Sequence, residues 1–164
     1  MSLSSRYYVV RPVDQIFRQA IERQESIIFL KGPRHTGKTS LLTHGLRQMR
    51  EEGRQVVLTD FRELTFRPLE TLDVLYRVLA QSFADQLGLD APPDRAWSSY
   101  RGPNENFERY LRLEILARHT TGLVWVIDEV DRIFPYSFST EVFAMFRSWH
   151  NARALEFTGS LERL

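Results

Sequence analysis

The sequence predicts an α/β fold with a mostly parallel sheet, and three observations support this class. Short apolar runs at residues 26–30 and 123–127 lack polar alternation, which is typical of strands buried on both faces of a parallel sheet. Longer segments with apolar residues at helical spacing separate these runs. The 164 residues are 43% hydrophobic, enough for one packed core. Strands that alternate with helices favour helices layered on a sheet.

The predicted elements alternate along most of the chain. Pro12 and Pro68 stand in first helical turns, where a missing N–H costs nothing, and Gly53 and Gly88 can end helices in a left-handed conformation. In chain order, the predicted elements are a helix over 12–24, a strand over 26–30, a helix from Lys38 to 51–53, a strand over 55–61, helices over 68–88 and 107–119, a strand over 123–127 and a helix over 142–151.

Residues 90–106 contain three prolines, one glycine and few aliphatic side chains. Such a composition is typical of a loop, and long loops are often mobile. We therefore expect a mobile loop at 90–106 within a single domain over 1–164.

The charge balance and the residue types that are rare or absent exclude several functions. The chain has 22 basic and 21 acidic residues, so it lacks the strong positive field of nucleic-acid binders. It has no cysteine, which removes disulfides, thiolate zinc sites and cysteine nucleophiles. The spacing of its histidines matches no common metal motif; they are His35, His44, His119 and His150.

Neither an export signal nor a membrane span is indicated. Residues 1–5 lack the basic start and apolar run of a secretory signal. The apolar runs are far shorter than the roughly 20 residues that a bilayer requires. We expect a cytoplasmic protein that does not contact a membrane.

A phosphate loop, or Walker A motif, occupies residues 32–39 and fits G-x-x-x-x-G-K-T at every specified position. It lies between a predicted strand and a predicted helix, as phosphate binding requires. Lys38 is expected to reach the β- and γ-phosphates, and the Thr39 hydroxyl to bind Mg²⁺. The residues predicted to contact the nucleotide here are Gly32, Pro33, Arg34, His35, Thr36, Gly37, Lys38, Thr39 and Ser40.

The apolar run at 123–127 ends in Asp128 and Glu129, as a Walker B strand does. Asp128 is predicted to face the Mg²⁺ ion. Glu129 is predicted to act as the general base or to orient the attacking water, a feature of ATP-hydrolysing phosphate-loop proteins. No N-K-x-D guanine motif is present, so adenine is the expected base.

Several other polar residues near these motifs could have a functional role or could simply be solvated. Asp131 and Arg132 either form a solvated loop or sense the nucleotide, and His35 is assigned no catalytic role. Four arginines are candidates for stabilising transition-state charge, although most arginines are solvated; the four are Arg34, Arg132, Arg147 and Arg153.

With these two motifs, the segments 7–12, 138–143 and 151–154 make the chain resemble bacterial AAA-like domains of the STAND class of signalling ATPases. The resemblance runs from about residue 7 to about residue 154. It implies a three-layer P-loop NTPase fold, a nucleotide switch, and a longer chain with effector modules. It also implies that the segment containing Arg11 and Pro12 lies near the adenine.

The resemblance predicts an incomplete C-terminal end. Related domains continue into a strand with a polar sensor residue, a further strand and a helical lid, for which residues 155–164 are too few. The absent sensor strand would lie between the phosphate-loop strand and the acidic strand. We expect a fragment of a longer protein; filling of the gap by another segment or chain, and a differently closed sheet, are the alternatives.

Three functions remain open at this stage. The first is Mg²⁺-dependent hydrolysis of ATP, with ATP and Mg²⁺ as cofactors. The second is a switch that binds ATP or ADP and a protein partner but turns over little. The third is a motor stimulated by nucleic acid, which the near-neutral charge disfavours.

Overall fold

The computed structural model describes residues 12–23, 28, 37–64, 70–118 and 123–161, with side chains as far as residue 152. The chain forms two compact units, Met1–Gln48 and Met49–Leu164. Apart from Ile28, the strand predicted over 26–30 lies outside the described residues.

The first unit contains helix α1, Pro12–Glu22, and the start of helix α2, Lys38–Glu51. Helix α1 begins at Pro12, as predicted. Its buried residues are Phe17 and Ala20, whereas Ile16 is 65% exposed. The two helices pack closely at Gly45, because a Cβ atom added there would lie 2.4 Å from Cε1 of Phe17.

The second unit contains two strands, four helices and several short helical turns in its described part. These are β1 Gln55–Asp60, α3 Phe61–Leu64, α4 Leu72–Leu87, a 3-10 turn Pro93–Arg95, α5 Pro103–Tyr110, a π turn Leu111–Ile115, 3-10 turns Leu116–Arg118 and Val130–Ile133, β2 Leu123–Asp128 and α6 Ser139–Leu161. Strand β1 ends one residue earlier than predicted because Phe61 begins α3.

Strands β1 and β2 form a parallel pair in register from Gln55 opposite Leu123 to Asp60 opposite Asp128. This small parallel sheet among helices is compatible with the predicted α/β fold. The three-layer arrangement stays a prediction, because the described residues form this one pair of strands.

At the edge of β1, a side chain forms hydrogen bonds with the backbone in the way that a further strand would. The Gln86 carboxamide on α4 accepts the Leu58 N–H at 2.9 Å and donates to the Leu58 C=O at 2.8 Å. Both backbone groups of Leu58 are therefore satisfied by one side chain, as a neighbouring strand would satisfy them.

Local capping signals define the ends of α4. The Thr71 hydroxyl accepts the Val74 N–H at 3.2 Å, and Gly88 ends the helix in the left-handed region with a φ of 65°. The stop predicted at Gly88 is confirmed, whereas the start predicted at Pro68 is wrong, because Thr71 has an extended backbone and the helix begins at Leu72. Helix α4 is therefore bounded by local sequence signals.

The segment predicted as a mobile loop over 90–106 is partly helical, since α5 begins at Pro103. Asn106 is only 2% exposed, and its carboxamide accepts the Ser98 N–H at 3.0 Å and donates to the Ser98 C=O at 3.0 Å. The Trp97 indole donates to Asp73 at 2.7 Å. These bonds attach the segment to the domain, while its mobility stays a prediction.

Aromatic side chains dominate the core of the second unit. Tyr76 and Phe107 stack at 4.7 Å between ring centroids, and Trp125 meets Phe83 edge-on at 5.1 Å. The cluster joins α4, α5, β2 and α6. We call it the aromatic core; its ring members are Tyr76, Phe83, Phe107, Tyr110, Trp125, Phe146 and Trp149.

The prediction that residues 123–127 are buried on both faces is only partly correct. Val126 is buried, while the other residues of β2 are half-buried. Leu123, Trp125 and Ile127 pack against the core, because alternate side chains of a strand share one face. The helix predicted over 142–151 is confirmed and is longer, Ser139–Leu161.

Candidate functional site

The described end of the predicted phosphate loop is Gly37 with the start of α2. Gly37 has a φ of 80°, a left-handed conformation that glycine adopts without steric cost, and its carbonyl accepts the Leu41 N–H at 2.9 Å. Lys38 follows as the first residue of the helix and is half-buried. The positive end of the helix dipole lies at this N-terminus, which is compatible with the predicted phosphate loop.

The next two residues of α2 present exposed hydroxyl groups. Thr39 and Ser40 are both exposed, and the Thr39 carbonyl accepts the Thr43 hydroxyl at 2.8 Å within the helix. Hydroxyl oxygen is a hard ligand of the kind that Mg²⁺ binds. The metal role of Thr39 stays a prediction.

Most of the other predicted nucleotide contacts fall outside the described residues. Pro12 is described and begins α1 at an exposed position. The contacts outside are Arg11, Gly32, Pro33, Arg34, His35 and Thr36.

The acidic strand end is the second half of the predicted site. Asp128 is the last residue of β2, and its Oδ1 accepts the Glu129 N–H at 2.9 Å. This bond fixes the turn in which the chain leaves the sheet. Asp128 and Glu129 are both half-buried, so both carboxylates lie near solvent.

Glu129 has a strained backbone. Its φ of 53° and ψ of 36° put it in the left-handed region, and among the described residues it is the one non-glycine residue with a positive φ. Non-glycine residues in this region cost roughly 1–2 kcal/mol. Such outliers concentrate at functional sites, where the surrounding structure maintains them.

Sequence reasoning missed Asp60, the last residue of β1. It lies opposite Asp128 in the register of the parallel pair, so the two side chains point to the same face of the sheet. Like charges directly opposite each other destabilise a strand pair. A usable signal existed, because the carboxyl ends of neighbouring parallel strands meet at one edge of the sheet.

Arg62 compensates for this unfavourable pair. Its Nε lies 3.1 Å and 3.0 Å from the two Asp60 carboxylate oxygens, and its Nη2 donates to Oδ2 at 2.6 Å. The Arg62 backbone N–H donates to Oδ1 at 2.8 Å. The side-chain hydrogen bonds hold the pKa of Asp60 below its ordinary value and raise that of Arg62.

Charged residues at and just after the end of β2 also act on this pair. The electrostatic field of Glu129 and Asp128 favours the charged form of Arg62, and Arg132 lowers the pKa of Asp60. Arg132 lies 3.8 Å from the Glu129 carboxylate. These five side chains, Asp60, Arg62, Asp128, Glu129 and Arg132, therefore form one group, which we call the charged strand end.

The charged strand end is not by itself a complete metal site. Within the part of the chain that the structure describes, no three carboxylates or histidines are arranged to hold an ion. Mg²⁺ does not require such a set, since it commonly binds one or two carboxylates together with water and substrate phosphates. A single aspartate such as Asp128 therefore fits a nucleotide-borne Mg²⁺.

A family model described as an AAA-like domain matches residues 1–158. The chain belongs to the AAA-like domain family. Membership indicates a nucleotide-binding domain. Comparisons with curated proteins and with solved structures give no match.

The remaining candidates in this AAA-like domain are surface residues where they are described. Asp131, Arg132 and Arg147 are exposed, whereas Arg34 and the Arg153 side chain lie outside the description. Among the described residues, every helix is too short or too polar to cross a lipid bilayer.

Proposed function

We propose that this AAA-like domain binds Mg·ATP and hydrolyses it slowly, as a switch that reports its nucleotide state to a protein partner. The observation that carries the proposal is the phosphate-loop sequence leading through left-handed Gly37 into the N-terminus of α2. Consecutive loop amides and a helix dipole are a general device for binding phosphate.

Each residue has a definite role in the proposal. The loop at 32–37 surrounds the phosphates, Lys38 neutralises the β- and γ-phosphates, and Thr39 and Asp128 hold Mg²⁺. Glu129 orients the attacking water. The strained backbone of Glu129 supports this role, because such outliers concentrate at functional sites.

The switch role follows from the resemblance to the STAND class. It implies that the ATPase core belongs to a longer chain, whose sensor strand, lid and effector modules would convert hydrolysis into a conformational signal. A binding switch without turnover is the second candidate.

Calorimetric titration with Mg·ATP tests the proposal, with phosphate release followed on the same samples. Lys38→Ala is expected to weaken binding by at least about tenfold, because it removes the charge that meets the phosphates. Arg50→Ala is the matched control, since it removes a positive charge from the other end of α2 and should leave affinity unchanged.

Glu129→Gln separates the two candidate functions. It is expected to bind Mg·ATP as the wild type does but to lose phosphate release. Equal affinity in the wild type and Lys38→Ala would refute the nucleotide site. Binding without release in the wild type would support the switch that turns over little.

A further inference from the structure

The contact between Gln86 and the edge of β1 is held by a third hydrogen bond. Oε1 of Gln86 accepts the Leu58 N–H, and Nε2 donates to the Leu58 carbonyl. Nε2 also donates to the hydroxyl of Ser82, one turn earlier on α4, at 2.9 Å. Because an amide nitrogen donates and an amide oxygen accepts, this bond favours the carboxamide orientation that both contacts with Leu58 require.

The Gln86 carboxamide takes the position that a peptide group of an added strand would take. A carboxamide offers a donor and an acceptor, as a peptide group does. Both backbone groups of Leu58 bond to it, on the side of β1 that faces away from β2. An added strand and Gln86 would therefore compete for the same two groups of Leu58.

Strand β1 has the composition of a strand that pairs readily. Its four central residues, 56–59, are uncharged, three of them are β-branched, and Leu58 is 37% exposed. A cavity of about 430 Å³ lies beside the edge, and Gln55, Val56 and Gln86 are among the residues that line it. An apolar strand edge without charged side chains is a template for another strand.

We propose that Gln86 is an edge guard: by occupying Leu58, it prevents β1 from pairing with β1 of a second copy of the chain. An antiparallel pair centred on Leu58 of both copies is symmetric about a two-fold axis, and the two Leu58 residues would exchange both backbone hydrogen bonds. In this pair Asp60 of one copy lies opposite Val56 of the other. Like charges therefore do not meet across the strands, and Gln86 is the group that opposes the pairing.

The guard is effective because it is intramolecular. Helix α4 holds Gln86 beside Leu58 at every protein concentration, whereas a second copy must arrive from solution. The bond to Ser82 restricts the Gln86 side chain, so less conformational entropy is lost when it binds Leu58. Without Gln86, water would satisfy Leu58 in the monomer, and a second copy could displace that water.

Sedimentation velocity over a range of concentrations tests the guard. Gln86→Ala removes the carboxamide and preserves α4, since alanine is the best helix former. This variant should self-associate at least about tenfold more tightly than the wild type, because the competing side chain is gone. Gln81→Ala is the matched control: Gln81 is an exposed glutamine of the same helix, and its carboxamide donates to Asp85 at 2.7 Å. The control should associate no more than the wild type.

Amide hydrogen exchange followed by NMR locates the contact. In dilute Gln86→Ala the Leu58 amide should exchange faster than in the wild type, and it should slow again as the protein is concentrated, because the second copy replaces the lost bond. In Gln81→Ala it should exchange at the wild-type rate throughout. Equal association of Gln86→Ala and Gln81→Ala would overturn the proposal, as would association that leaves the Leu58 amide exchanging fast.

Discussion

The aromatic core and the charged strand end both include a residue of β2 but follow different physical rules. One face of β2 brings Trp125 into edge-on contact with Phe83 and lets its indole donate to Thr59 of β1 at 2.9 Å. The last register position of the same strands brings together Asp60 and Asp128. The core gains from burial, whereas the strand end keeps like charges and a strained backbone close to solvent.

The residues of the aromatic core stabilise the fold, whereas the residues of the charged strand end have an unfavourable geometry that the rest of the fold maintains. The aromatic core consists of large side chains whose burial is favourable, and its polar atoms have partners. The strand end is unfavourable in two respects, the carboxylate pair and the left-handed Glu129. Such costs are typical of functional sites, where geometry is maintained by the rest of the domain.

The largest expected effect tests the core side of the comparison. Phe107 is fully buried and contacts Tyr76, Phe83 and Trp125. Phe107→Ala should lower the free energy of unfolding by about 3–5 kcal/mol in urea titrations, because it leaves a cavity among rings. The exposed Leu116→Ala should change it by less than about 0.5 kcal/mol. Similar losses for both would mean that this cluster does not dominate stability.

An intermediate effect tests the polar contacts of the core. The Tyr110 hydroxyl lies 2.9 Å from the Ala80 carbonyl and 2.8 Å from that of Ala91, and burial raises its pKa to about 12. Tyr110→Phe should cost about 1–2 kcal/mol of unfolding free energy, since a buried hydrogen bond is lost. The exposed Tyr100→Phe is the control.

The pH dependence of this effect has a definite sign. The unfolded chain loses the phenol proton near pH 10, whereas the folded protein keeps it until about pH 12. The contribution of Tyr110 is therefore fully present below pH 10 and is lost as pH rises through 12. Between these values the wild type should lose more stability than Tyr110→Phe; parallel pH curves would contradict the raised pKa.

The smallest expected effect tests the strand end. Glu129→Gly and Glu129→Ala both remove the carboxylate, but only glycine relieves the left-handed conformation. Glu129→Gly should be more stable than Glu129→Ala by about 1 kcal/mol, and both should lose phosphate release if the proposed function holds. Equal stability of the two variants in thermal melts would show that the backbone strain is absent.

Features governed by local chemistry were predicted well. Pro12 begins α1, Gly88 ends α4 and left-handed Gly37 precedes α2, because each follows from the conformational limits of one residue. The phosphate loop and the acidic pair at 128–129 rest on residue types at short spacing as well, and their roles stay predictions.

Features that depend on distant residues were not predicted. Residues 90–106 were predicted as a mobile loop from their composition. The structure instead shows a buried Asn106 whose side-chain hydrogen bonds hold part of this segment, and hydrophobic periodicity does not reveal such bonds. The half-buried state of most of β2 likewise depends on what packs against each face.

The sequence by itself determined the residue patterns, which predict a phosphate loop, an acidic strand end and an α/β fold from residues close together along the chain. Only the tertiary structure decided that Asp60, 68 positions before Asp128, shares its register position and that Arg62 binds it. The physical reason is that strand pairing is nonlocal, because its register depends on how both faces of both strands are buried.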